Sequence, residues 1–164
     1  MLTIEKKSLQ VGRFVNTQHV NTVIRQYKQE RWLENSKRIG KDDSLSVWYS
    51  VEELEMFIER IKEHGANGVR MYFAEYPAGY HPDADMANRQ TIVMVATKSK
   101  TGPTDSKDVY VNDGNKTSIL AYNFGSVCPN YCPGTGKGGG IDGDSWGDIG
   151  TTLVDKGDEG MIVI

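Results

Sequence analysis

The stretch SVEELEMFIERIKEHG, residues 50–65, constrains the fold more than any other part of this chain. Ser50 and Glu53 have the spacing of a capping box, in which the serine hydroxyl takes the N–H three residues on and the glutamate returns to the serine N–H. Val51, Leu54, Phe57, Ile58 and Ile61 recur at helical spacing and form one apolar face. Gly65 supplies the left-handed residue that ends such a helix, and His64 in its last turn suits the negative end of the helix dipole. A helix with one apolar side needs a second layer, and the next two segments offer it. In GVRMYFAEY, residues 68–76, Val69, Met71 and Phe73 alternate with more polar neighbours, which is the period of a strand. QTIVMVATK, residues 90–98, has a continuous apolar centre, the mark of a strand covered on both faces.

The flanking segments extend this plan. Val20, Val23, Ile24 and Tyr27 predict a helix from Asn16 to about Trp32, with Asn16 or Thr17 as its cap and Trp32 off the stripe. ENSKRIGKDDS, residues 34–44, reads as a polar connection. SVWYS, residues 46–50, predicts a short edge strand, and VYVNDGNKTSILAYNF, residues 109–124, a hairpin turning at Asp113-Gly114. The fold class is therefore α+β: two helices packed on a mostly antiparallel sheet of three to five strands. The predicted compact domain covers residues 1–125. Residues 126–164 are rich in glycine and aspartate, show neither period, and predict an irregular tail that carries Cys128, Cys132 and an apolar MIVI end able to pair as a strand.

Length and composition narrow the class. A chain of 164 residues, 38% hydrophobic and 25% charged, is that of an ordinary soluble domain. It holds no unbroken apolar run near the ~20 residues that a membrane helix needs, and its first ten residues lack the apolar core of a leader. The expectation is a cytoplasmic protein with no membrane partner and with its two cysteines as thiols or as a small local disulfide. Net charge is −3, unevenly placed: residues 1–41 hold nine basic side chains against three acidic, and residues 141–164 hold six acidic against one basic. A sequence pI near 5.6 argues against a nucleic-acid binder. Arg25, Lys28 and Arg31 step from the polar side onto the apolar stripe and so make no clean binding face.

Four stretches imitate known chemistry. In PGTGKGGG, residues 133–140, Gly136-Lys137 suggests a phosphate loop, but Tyr131 stands where its first glycine belongs and Gly138 where the magnesium ligand belongs. DGDSWGDIG, residues 142–150, places Asp142, Asp144 and Gly147 as a calcium loop does, yet Trp146 replaces a ligand and Leu153 the bidentate glutamate. Cys128 and Cys132 resemble a redox pair with one extra residue between them, without the following helix that would lower a thiol pKa. A zinc site needs four ligands and would have to draw on these cysteines plus His81, His64, a carboxylate or a second chain. HPDADM, residues 81–86, sets His81, Asp83 and Asp85 on alternate positions of a loop between the central strands, a pattern open to metal or acid–base work and equally natural for a turn.

The segments VWYSVEELEMFI, GANGVR and YNFGSVCPNYC resemble a set of small bacterial α+β proteins with no known activity, over residues 45–132. That resemblance implies a helical front, this strand pair and a Cys-Pro tail, and it assigns no catalytic residue. No complete catalytic constellation stands in the chain. The expected function is a non-enzymatic protein-binding or assembly module, with a protein partner or a second copy of itself and no cofactor. The alternative is a metal-dependent enzyme, with zinc the expected metal, that uses His81, Asp83 and Asp85, with or without Cys128 and Cys132.

Overall fold

The computed structural model describes residues 9–129 and the backbone of two short strands, 153–155 and 161–163. The fold is α+β. In chain order it runs α1 (Thr17–Tyr27), a π-helical turn (Lys28–Trp32), α2 (Leu33–Ile39), β1 (Ser46–Trp48), α3 (Val51–Glu63), β2 (Gly68–Glu75) and β3 (Gln90–Lys98). There follow β4 (Lys107–Asp108), β5 (Tyr110–Asp113), β6 (Lys116–Ile119), β7 (Ala121–Tyr122), β8 (Ser126–Cys128), β9 (Leu153–Asp155) and β10 (Met161–Val163). The main sheet has the order β2-β3-β4, with β7 also on β3; β5 and β6 form a hairpin, β1 pairs with β8, and β9 with β10. Every pair whose register is defined is antiparallel.

Packing divides the chain into two compact units. The first comprises Met1–Asn21, Ser50–Phe73 and Ile92–Asn123. Its helix α3 begins as the sequence predicts: Glu53 N–H donates to Ser50 Oγ at 3.1 Å and Ser50 N–H to Glu53 Oε2 at 2.9 Å. Phe57 and Ile61 are its buried side chains, and the Phe57 ring meets that of Tyr122 with centroids 5.6 Å apart. Met94, Val95 and Ala96 of β3 are buried, as their unbroken apolar run requires. The hairpin closes with Asp113 opposite Lys116. Beyond β3, Asn67 holds both backbone groups of Ser99, and the Asp105 carboxylate gathers the Ser99 hydroxyl and the backbone and hydroxyl of Thr101. That gathering, led by Ser99, holds Asp105 well below the usual carboxylate range.

The second unit comprises Thr22–Tyr49, Ala74–Thr91 and Phe124–Ile164. Here the helix does not stop at Trp32. A π turn over Lys28–Trp32 continues directly into α2, so that half of the expected polar connection is helical. The wider turn shifts the phase of the helix face, which is why Trp32, off the α1 stripe in sequence, is buried and donates Nε1–H to the Asp43 carbonyl at 2.8 Å. Gly40 ends α2 at φ 73°, a left-handed conformation that costs glycine nothing. Tyr76, Met86 and Val127 form the core, with Val47 packed against it. Residues 126–128, expected in the tail, are strand β8: Ser46, Val47 and Trp48 stand opposite Cys128, Val127 and Ser126. The backbone reaches this pair past Gly125, where a β-carbon would lie 2.5 Å from the Tyr49 ring and 2.6 Å from Val47 Cγ1.

Candidate functional site

The sequence points first to His81, Asp83 and Asp85, and the structure shows how that loop is built. His81 Nδ1 accepts the Asp83 N–H at 2.9 Å, and Asp83 Oδ1 accepts the Asp85 N–H at 2.9 Å, which starts a 3-10 turn over Ala84–Met86. Lys41 Nζ donates to the Asp85 carbonyl at 2.7 Å. The His81 ring stands edge-on to Tyr76, with centroids 4.8 Å apart, and 5.3 Å from Phe124. Adjacent members are thus joined through backbone N–H groups, which orders a turn. Among the described residues, no three His, Cys, Asp or Glu side chains converge as a metal site would need.

Cys128 lies in β8, where its carbonyl accepts the Leu45 N–H at 2.7 Å. Its side chain is buried and disulfide-bonded, and the sequence contains one other cysteine, Cys132. While the bond stands, the Cys128 sulfur is neither a nucleophile nor a thiolate ligand. Cys132, the phosphate-loop imitation at 133–140 and the calcium-loop imitation at 142–150 lie outside the described residues. His64 closes α3 with its N–H on the Ile61 carbonyl.

A buried polar centre in the second unit gave no signal in the sequence. Asp43, 2% exposed, accepts the N–H groups of Ser44 and Gln90 on Oδ1, each at 2.7 Å, and its own N–H donates to Ser36 Oγ at 2.9 Å. Gln90 Oε1 takes the Tyr27 hydroxyl at 2.5 Å. Burial, and then the negative charge of Asp43, push the Tyr27 phenol above its ordinary value. Thr91, fully enclosed, donates to the Tyr76 hydroxyl. In sequence Asp43 is indistinguishable from its neighbour Asp42. Through the bonds of Asp43 this centre ties α2, the 40–45 connection and the start of β3 together.

Strand β2 stands at the end of the main sheet. It has β3 on one side and, among the described residues, no strand on the other. Strand alternation puts Val69, Met71 and Phe73 on one face, and they are 37%, 60% and 80% exposed. Edge strands are normally guarded by charge, proline or a bulge. Here the two charges are bound within the chain. Arg70 donates to Asp108 Oδ1 at 2.6 Å and to Ser106, while Glu75 accepts from Arg38 at 3.1 Å. The Arg70 guanidinium lies 5.9 Å from the Tyr72 ring centroid, and the Tyr72 hydroxyl donates to Asp108 Oδ2. The alternation of this strand was legible in the sequence, but it read as the packed face of a sheet; only the structure shows that face open.

No family model matches this chain, and no curated protein or solved structure matches it. Among the described residues, no helix is long and apolar enough to cross a membrane.

Proposed function

We propose that this chain is a protein-binding or assembly module whose docking surface is the edge and apolar face of β2. One observation carries the reading: β2, eight residues long and at the sheet edge among the described residues, leaves Met71 and Phe73 largely in solvent while its two charges, Arg70 and Glu75, pair with Asp108 and Arg38. Scattered exposed apolar residues are ordinary. Three in line on one face of an edge that no described strand covers are the arrangement by which a sheet adds a strand from another chain: main-chain groups supply affinity, and alternate side chains supply selectivity. In the His81 loop, His81 Nδ1 and Asp83 Oδ1 accept backbone N–H groups, and Asp43 Oδ1 likewise holds the Ser44 and Gln90 N–H groups; such chain-ordering contacts favour a binding module over the metal enzyme.

The test is affinity capture with the tagged full chain, an untagged second copy included in the mixture, compared with Phe73→Lys and Met71→Lys. Both substitutions are at exposed positions, so their melting temperatures should stay near that of the parent. Proteins retained by the parent and lost by both variants support the reading. The same proteins retained by all three forms would reject it. The Cys128 disulfide also favours an oxidising compartment over the expected cytoplasm; thiol alkylation before lysis, followed by mass analysis, distinguishes the two by whether Cys128 takes the label.

A further inference from the structure

We infer that the occupant of this edge is β2 of a second copy, paired antiparallel about a two-fold axis at Met71. The inference rests on the docking surface proposed above and names its partner. A two-fold axis between antiparallel strands runs perpendicular to the sheet, so residues that meet across it lie on the same face and the register centres on a residue. That leaves few registers, and the charges on β2 sort them. Centred on Arg70, two guanidinium groups meet. Centred on Tyr72, Val69 faces Glu75 of the second copy; centred on Phe73, Met71 faces that carboxylate. Centred on Met71, the apolar face is continuous: Val69 opposite Phe73, Met71 opposite Met71, Phe73 opposite Val69. Aromatic and β-branched side chains are among the better cross-strand pairs. On the other face Arg70 of each copy meets Tyr72 of the other, extending the cation–ring contact each chain already makes.

The size of the surface sets the expected strength. Val69, Met71, Phe73 and Tyr72 together offer on the order of 400 Å² per copy, below the ~800 Å² per partner of a stable interface. The dimer should therefore form and dissociate with concentration in the micromolar range, rather than persist at all dilutions. A two-fold contact of this kind also closes the exposed edge, which an open-ended contact would not.

Sedimentation equilibrium of the full chain from about 10 µM to about 1 mM tests this. The parent should fit a monomer–dimer equilibrium. Met71→Lys, which sets two ammonium groups against each other, and Val69→Lys, which sets one against Phe73, should each raise the dissociation constant at least tenfold. Combining Val69→Lys with Phe73→Glu should bring it back to within about threefold of the parent, because lysine and glutamate then face each other twice in this register. The double variant also shows that loss in the single ones is not loss of folding. A parent that stays monomeric throughout overturns the inference while leaving the capture experiment to judge the docking surface itself. A dimer indifferent to Met71→Lys places the contact elsewhere, and a dimer tightened by Val69→Lys places the axis at Tyr72; either result overturns the register proposed.

Discussion

Replacing Asp43 tests whether the buried polar centre is as structural as its geometry implies. Asp43→Ala removes the oxygen that accepts the N–H groups of Ser44 and Gln90, each at 2.7 Å, in a place where the residue is 2% exposed. A buried donor left without a partner costs about 1–3 kcal/mol. Gln90 is only half-buried and can recover part of its loss from water, so the two together should cost about 3 kcal/mol. For a chain of this length each kcal/mol moves the melting temperature by roughly 2–4 °C, which puts the expected fall at about 6–12 °C. Asp43→Asn keeps an acceptor oxygen and gives up the charge that strengthens both bonds; it should cost about 1 kcal/mol. Thermal unfolding followed by circular dichroism, with urea midpoints as a second measure, compares the three forms. If Asp43→Ala melts within about 2 °C of the parent, those N–H groups do not depend on the carboxylate, and the centre does not hold its segments together as its geometry implies. If the two variants fall equally, the charge rather than the acceptor geometry carries the effect.

Three further outcomes follow from particular contacts. Gly125→Ala should destabilise by about 1–3 kcal/mol in the same thermal assay, because its methyl must displace the Tyr49 ring or Val47 from a well-packed site. Ser50→Ala should cost about 1 kcal/mol through the lost cap of α3. Glu53 lies below its ordinary value because the Ser50 N–H, then the Ser50 hydroxyl and Tyr122, bond its charged form. Its contribution is therefore complete above the unfolded glutamate value near 4.5 and is lost as pH falls through the lower folded value. Urea midpoints between pH 6 and pH 3 should fall less steeply in Ser50→Ala than in the parent; parallel curves would remove the linkage. Asp105→Asn should likewise flatten the acid side of the profile, since Ser99 and Thr101 hold that carboxylate charged well below its usual range.

The candidate surface was half legible. The alternation of Val69, Met71 and Phe73 is a local property, written at period two, and it identifies three side chains on one face of a strand. What lies against that face depends on residues elsewhere in the chain, so the same letters describe a buried strand and an open edge. The His81 loop shows the converse. Its spacing suits both a ligand set and a turn, and hydrogen bonds from the Asp83 and Asp85 N–H groups realise the turn.

Local sequence suffices wherever short-range chemistry decides: the capped start of α3 at Ser50, its end at Gly65, the hairpin turning after Asp113 and the double-sided burial of β3. Each needs only neighbours within a turn or two of the chain, where steric and hydrogen-bonding preferences act without help. Other features need distant partners and emerge only on packing. Trp32 became a core residue because a π turn rotated it toward the 43 carbonyl, Asp43 was chosen over Asp42 to take the Gln90 N–H, and residues 126–128 left the glycine-rich tail to pair with β1. These contacts close loops of eleven, forty-seven and about eighty residues. Only the finished packing of each unit repays their entropy, and no local pattern records it in advance.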